Sequence, residues 1–532
     1  MSALSGTGRL TRLALRRERA IAPWWVLLIV TLALIMVNYI TTRMGTYALK
    51  VEYTQTILRS PFLYALGGGG VEPRLDVLAT WRSGGFLYVF SALAAVMSVV
   101  RHTRREEDSG RAELVGSAVV GRDAPLTAAV LVATGVSLAS GLAVAAVLIG
   151  IGFEPVGSLA YAGAVAAAGW VFGGVAAVAA QLARNARTAT TIGLSVLAVS
   201  YVLRYAGDAT GRHWLAGLSP IGWSHLVRPY QDERWWMLGL SLLAGAALLA
   251  LAHRLLERRD LGAGLLPERL GPATTTRLRG PVAVAWRLHR TLLLSWAAGI
   301  AFFAAAAAGL SPFVKDLLAR PSVVTDGIVK MLGMPSAAVG GYSWYLILIL
   351  AYVVTLYPVL MTLRLREEET SGRAEAVQAT PLTRLRWAAG HLVVTGLGTA
   401  ALMAVAGLVF GTLFSVLVGD LSTDLPRFLL GALSVVPAAW CVGAVCVLAY
   451  GLLPRAGIAI SWIAWILTAL LGQVAGPLYG LWGGSPLEPL HYVRNPFGDE
   501  PFHPGSLAAL LAVTAILLYG GLHALRRRDF GR

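Results

Sequence analysis

Twelve runs of roughly 20 apolar residues limit this chain more than any motif, because a run of that length crosses the roughly 30 Å hydrocarbon core of a bilayer as one α-helix. They lie at about 22–40, 80–100, 126–150, 157–182, 188–206, 235–252, 291–310, 344–363, 387–418, 427–452, 457–477 and 505–525. Inside hydrocarbon each backbone N–H and C=O must find its partner within the protein, so such runs predict helices. Of the 532 residues, 56% are hydrophobic and 14% charged, which leaves too little polar surface to cover a soluble globule. The expected fold class is therefore an all-α polytopic membrane protein. The first run is followed by no small-residue cleavage site, so it reads as an anchor that stays and not as a signal peptide. Cys441 and Cys446 both fall inside an apolar run and read as buried thiols, with no disulfide expected.

The net charge is +16, from 44 Lys+Arg and 28 Asp+Glu. No basic module with interleaved aromatics is present, so nucleic acid is excluded as a partner and the arginines are topology signals. With the amino terminus in the cytoplasm and twelve alternating helices, the inside segments hold 30 Lys+Arg and 14 Asp+Glu, and the outside ones 14 and 14. All the excess positive charge then sits on one face, as the positive-inside rule requires, and both termini are cytoplasmic.

The chain also repeats itself. Under a shift of 262 residues, Arg104, Glu106, Glu107, Ser109, Gly110, Arg111, Ala112, Glu113, Val115 and Arg122 meet identical residues in the segment from Arg366 to Arg384. A second pair aligns SPIGWSHLVRPYQDE (219–233) with SPLEPLHYVRNPFGDE (485–500), placing His225 opposite His491. A third aligns ERRDLG at Glu257 with RRRDFG at Arg526. The expected organisation is two parallel six-helix repeats, 1–252 and 291–532, joined by a cytoplasmic linker and amphipathic lead-in at 253–290. Parallel repeats imply a pseudo-two-fold axis along the membrane normal.

Each half has a short basic lead-in, a charged inner loop with EED-SGR-AE character and a long outer segment with LSP-x-G-W…VRP (Leu218 to Pro229). This pattern resembles ABC-2 type exporter permeases of the type V architecture, and most nearly the fused twelve-helix permeases of actinobacterial polyketide-antibiotic and multidrug exporters. The resemblance implies a plasma-membrane permease that exports hydrophobic or amphipathic small molecules. It also implies that the permease works with two copies of a separate ATP-binding subunit, which carries the ATP and Mg. This chain would hold no cofactor, no metal and no catalytic residue. Independently, a P-loop needs a lysine after glycine to reach the phosphates, and Lys50, Lys315 and Lys330, the three lysines of the chain, each lack that glycine.

Charged residues of the inner loops are the candidates for coupling to that subunit: Glu106, Glu107, Ser109, Gly110, Arg111 and Glu113, with Glu368, Glu369, Ser371, Gly372, Arg373 and Glu375. Glu107 precedes Arg111 by four residues, as Glu369 precedes Arg373, which predicts a helical ion pair in each loop. The competing reading is a solvated helix and nothing more. Candidate substrate-pathway positions are the polar-aromatic residues Phe86, Tyr88, Phe90, Tyr201, Tyr345, Tyr352, Trp462 and Trp465, with Gln473, an amide that must find a partner within an apolar run. Packing or an interfacial aromatic belt is the alternative for each. Trp223, His225 and Arg228, with His491 and Arg494, are candidates for an external gate built from short re-entrant helices; neither histidine has metal-ligand spacing around it. GxxxG at Gly169/Gly173 and Gly407/Gly411 predicts close helix packing.

Two other classes fit less well. A major-facilitator antiporter is expected to carry an ionisable residue at mid-depth, whereas here Arg204 and His391 fall near span ends. A polytopic lipid-linked glycosyltransferase would use acidic residues in its first outer segment, where Glu52, Glu72 and Asp76 lie, but the duplication would have no explanation.

Overall fold

The computed structural model describes residues 2–116, 119–260, 262–266, 280–319, 339–472, 488–493, 495–497 and 504–527. Among these residues eleven helices are long and apolar enough to cross a membrane. The chain divides into two compact units, Met1–Gly271 and Pro272–Arg532.

In the first unit the order is α1 (Thr7–Glu18), α2 (Ala22–Arg43), α3 (Tyr47–Arg59), α4 (Pro61–Gly67), α5 (Leu75–His102), α6 (Arg104–Asp108), α7 (Arg111–Gly116), α8 (Ala124–Gly150), α9 (Pro155–Leu182), α10 (Ala186–Thr210), α11 (His213–Gly217), α12 (Pro220–Leu226) and α13 (Trp235–Glu257). Local chemistry sets many starts. Glu154 accepts from the N–H groups of Val156 and Gly157 at the head of α9, and Asn185 accepts from Thr188 at the head of α10. Prolines sit in the first turns of α2, α8, α9 and α12, where no partner is needed for the missing N–H. The stretch 41–79, expected outside the spans, forms α3 and α4 and a glycine turn.

α5 and α9 form the centre of this unit, with 72% and 78% of their apolar stretch buried, against 22% for each of α2, α10 and α13. The sequence of α9 explains its place: alanines and glycines at nearly every position let neighbouring backbones come close. A Cβ on Gly169 would stand 2.0 Å from the Ser137 hydroxyl, and one on Gly141 of α8 would stand 2.4 Å from the carbonyl oxygen of Ala162. Gly173 has nothing within 4 Å, so of this GxxxG pair only Gly169 packs as expected.

In the second unit the order is α14 (Pro281–Gly309), α15 (Ser311–Leu318), α16 (Val339–Thr370), α17 (Arg373–Gln378), α18 (Arg384–Leu417), α19 (Leu421–Ser434), α20 (Val436–Leu452), α21 (Gly457–Leu471), a 3-10 turn at Pro489–Tyr492 and α22 (Pro504–Arg527). Gly407 and Gly411 of α18 both press against α19, where their Cβ atoms would stand 2.9 Å from the Phe428 carbonyl oxygen and 2.8 Å from the Phe428 Cβ. Rings of Phe410, Phe414 and Phe428 fill the seam, with centroids 4.8 Å apart in both pairs that include Phe428. The expected span 427–452 is two helices end to end. Pro437, in the first turn of α20, has no N–H with which to continue α19. The lead-in also differs between the units, being a separate helix in the first and the opening turns of α14 in the second. Of the expected span 457–477, α21 supplies 15 residues, and Gln473 lies outside the described residues.

Replacing Gly141 by Leu is expected to lower thermal stability in detergent by about 1–3 kcal/mol, because the obstacle is backbone and cannot yield. Gly173→Ala, where a Cβ meets nothing, is expected to raise stability by about 0.5–1 kcal/mol.

Candidate functional site

The two duplicated segments lie at one end of their units' helices and share a local construction. α6 and α7 are separated at Ser109 and Gly110, and Gly110 adopts φ +72°; α16 and α17 are separated at Ser371 and Gly372, with φ +75°. That left-handed conformation is open to glycine at no steric cost and turns the chain sharply after each glutamate cluster. The turn removes the helical register, so neither expected pair, Glu107–Arg111 or Glu369–Arg373, forms. Instead Arg111 donates from Nη2 and Nε to Glu106, at 3.0 and 3.2 Å. Arg373 does the same to Glu368, at 3.0 Å from Nε and 3.1 Å from Nη2. Each arginine reaches back five residues across its glycine as a two-pronged fork. Their side chains stay 51% and 55% accessible, beside exposed Glu113, Ser109, Glu375 and Ser371.

The second glutamate of each pair turns inward. Glu107 accepts from both terminal nitrogens of Arg259 at 2.6 and 2.9 Å and from Arg104 Nη1 at 2.8 Å. Arg104 is completely buried, and its other nitrogens donate to the carbonyls of Ala180 and Ala263. Arg259 also donates to Gln181 at 2.6 Å. The chain beyond α13 is thus knotted to the end of α9 through the inner loop. In the second unit Glu369 accepts from the Tyr450 hydroxyl of α20. The repeat marks both residues, Arg104 against Arg366 and Arg259 within ERRDLG against RRRDFG, but neither is among the coupling candidates, because repetition alone does not show which arginine is buried.

α1 is tied to the same loop. Arg17 pairs with Glu106 at 2.6 Å, and the Gly121 N–H donates to the Ser5 carbonyl at 2.8 Å. Glu18 is buried and accepts from Ser98 at 2.8 Å, His102 at 3.1 Å and Arg101 at 3.2 Å. Burial alone would raise its carboxyl; the hydrogen bonds from His102 and Ser98 and the Arg101 charge outweigh that and hold it below the usual carboxylate range.

At the opposite end of the first unit, α12 is driven into the bundle. Ser224 donates to the Ala164 carbonyl at 3.1 Å, nine residues into α9 and so about 13 Å along it. Ser219 and Ser200 share a hydrogen bond at 2.8 Å. His225 is buried edge-on against Tyr88, with ring centroids 4.8 Å apart. Burial first and the Arg204 charge second push its imidazole well below the usual histidine range, so it stands neutral at pH 7. Trp223 donates to the Gly217 carbonyl at 2.7 Å, and Arg228 pairs with Asp232 at 3.0 Å. The backbone of Arg228 and Tyr230 is left-handed, at φ 51° and 63°, a strained arrangement for residues with a Cβ. It is held by Arg74 donating to the Tyr230 carbonyl at 2.9 Å and by Tyr230 and Ser158 sharing a hydrogen bond at 2.7 Å. Arg204 is fully buried and partnered by Asp208 at 3.4 Å, the Ala65 carbonyl at 2.6 Å and the face of Tyr201 at 4.8 Å.

The aromatic candidates separate by exposure. Phe86 is 53% exposed and Trp462 36%, whereas Tyr88 and Tyr352 are buried inside their units and Phe90 packs on the core of the first. Tyr201 and Tyr345 are half-buried, and Trp465 donates to the Tyr352 carbonyl at 3.3 Å. His491 lies on the 3-10 turn beside Tyr492, and Arg494 lies outside the described residues. That turn is headed by Glu488, a buried carboxylate that accepts from the Leu490 N–H at 2.9 Å. Burial pushes its carboxyl up to about 7. It was not a candidate because its neighbours in sequence are a proline and a leucine, not charges.

Two bundles of apolar helices, each with a turned, charged segment at one end, define a multi-pass helical membrane protein of the permease kind. The family described as the C-terminal domain of the multidrug efflux system permease Rv1217c matches residues 278–526. Over 535 aligned residues, covering 99% of this chain and 96% of the relative, 38% are identical to the multidrug efflux system permease protein Rv1217c of Mycobacterium tuberculosis. The chain belongs to the Rv1217c permease family.

Adjacent glutamates of the inner loop are expected to behave differently. Glu107→Ala strands a buried guanidinium and is expected to cost about 3–5 kcal/mol. Glu106→Ala loses an accessible cluster worth about 0–1 kcal/mol. Melting curves of the two purified variants compare them directly. Glu488 binds its proton more tightly folded than unfolded, so its contribution is complete below its ordinary value of 4.5 and is lost as pH rises through about 7. The melting temperature of the native chain is expected to fall between pH 5 and pH 8 by a few degrees more than that of Glu488→Gln.

Proposed function

We propose that this chain is the transmembrane permease subunit of an ATP-driven ABC exporter in the plasma membrane, moving hydrophobic or amphipathic compounds out of the cell. Two copies of a separate ATP-binding subunit, which bring the ATP and Mg, power it from the cytoplasmic side, where both termini also lie. The observation that carries this reading is the end-to-end likeness to a multidrug efflux permease. The duplicated loops support it, since each presents the same accessible fork beside a glycine turn, as a two-fold partner needs.

The division within each glutamate pair refines the roles. Arg111, Glu113, Arg373 and Glu375 are the contact residues for the ATP-binding subunits, and Glu106 and Glu368 hold the two arginines in position. Glu107 and Glu369 anchor the loops to the helices behind them and carry the partner's movement inward. Exposed Phe86 and Trp462 are the aromatic positions open to cargo. α12 and the strained turn at Arg228 to Tyr230 form an external gate segment of the first unit, and the segment around His491 is its counterpart in the second.

The test is the double substitution Arg111→Ala with Arg373→Ala, followed by pull-down of the ATP-binding subunit and transport of a hydrophobic dye. Recovery and transport are expected to fall on the order of tenfold. Unchanged recovery together with unchanged transport overturns the assignment of these loops.

A further inference from the structure

A cavity of about 540 Å³ opens inside the first unit between α1, the inner loop and the adjoining ends of α8, α9 and α13. Sites for drug-sized molecules run to roughly 300–1,000 Å³, so this one is large enough for a ligand and far too large for a buried water. It has two unlike walls. On one side Leu10, Leu13 and Ala14 of α1 face Leu126 and Ala129 in the first two turns of α8, with Leu256 of α13 closing the end. On the other side stand the ion pairs Arg17–Glu106 and Arg259–Glu107, each at 2.6 Å, with Arg122 and Asp260. Three guanidinium groups and three carboxylates line it, with Arg111 and Arg104 behind Glu106 and Glu107, so the polar wall presents both signs of charge.

The position of the cavity identifies its medium. Leu126 and Ala129 belong to a helix long and apolar enough to cross the bilayer. α1 is a basic helix with Arg9, Arg12 and Arg16 exposed. A helix of that kind lies in the plane of the membrane interface. The cavity is therefore level with the lipid headgroups, apolar toward the membrane helices and ion-paired toward the inner loop. A phosphate finds guanidinium groups in such a lining and an ammonium group finds carboxylates. A zwitterionic head satisfies both signs at once.

We propose that this cavity binds a zwitterionic amphiphile from the adjoining leaflet, its apolar chain between α1 and α8 and its head against the Arg17–Glu106 and Arg259–Glu107 pairs. The bound molecule also touches Ala112, Val120 and Gly121, so it bears on the inner loop and on the strap that joins that loop to Ser5. Occupancy thereby sets how freely the loop moves. This effect on ATP hydrolysis rests on the function proposed above; the binding does not.

The experiment uses the full chain in detergent with a lysophosphatidylcholine carrying a photoreactive diazirine at the end of its chain, and maps labelled peptides by mass spectrometry. Labelling is expected on α1 and the start of α8, and saturable displacement by unlabelled lysophosphatidylcholine is expected on the unmodified chain. Leu13→Trp at the partly exposed mouth and Ala129→Phe at the floor are each expected to reduce labelling by about fivefold or more, since a ring takes the place of the chain. Leu15→Trp, on the exposed side of α1, is expected to leave it unchanged. Labelling that does not saturate, or that survives both cavity-filling changes, overturns the proposal. Displacement by an anionic single-chain phosphatidylglycerol at equal concentration overturns the assignment of a zwitterionic head. With the ATP-binding subunit added, the amphiphile is expected to change ATP hydrolysis by the native chain and not by Leu13→Trp. If no such subunit associates, the proposed function fails while the labelling result stands.

Discussion

A guanidinium removed entirely from water is costly unless its charge and donors are answered, and Arg104 is answered by Glu107 and by carbonyls from two separate stretches of chain. That requirement organises this end of the first unit. Glu107 must face inward to balance Arg104, which draws in Arg259 and fixes the residues beyond α13 on the end of α9. With Glu107 committed, Glu106 is the carboxylate left to receive Arg111 and Arg17. The accessible fork at Arg111 is thus a consequence of the buried knot behind it. A loop built in this way is tied toward the protein and open toward solvent.

The second unit solves the same local problem with different chemistry. Its turn glycine and its fork to Glu368 match the first unit, and its inward glutamate accepts from a tyrosine hydroxyl of α20. A neutral hydroxyl and a bidentate guanidinium differ in strength and in dependence on salt. The lead-ins differ as well: α1 is a separate helix locked through Glu18, whereas the corresponding stretch of the second unit continues into α14. Among the described residues the first loop thus shares its anchor with a separate helix, α1, through Arg17 and Glu106.

Much of this architecture was legible in the residues. Apolar run length located the spans because the thickness of the bilayer fixes the length of a crossing helix. The recurrence of SGR after paired glutamates marked both inner loops, since a glycine at that point serves the same sharp turn twice. The pairing within the loops was misread. Spacing of four predicts an ion pair only while the helix continues, and the left-handed glycines end it. GxxxG was half right in α9 for a related reason: the motif makes a flat patch, and whether a neighbour lies on it depends on where that neighbour is directed.

The sequence by itself determined that the chain is helical, that it crosses a membrane many times and that its charge is concentrated at span ends, because these follow from the free energy of placing each residue in hydrocarbon or water. Which arginine is buried, which glutamate turns inward, that α12 plunges beside α9 and that Glu488 keeps its proton near neutral pH were decided only by the tertiary structure. Each of these depends on partners brought together from distant parts of the chain, and hydropathy and spacing carry no information about such encounters.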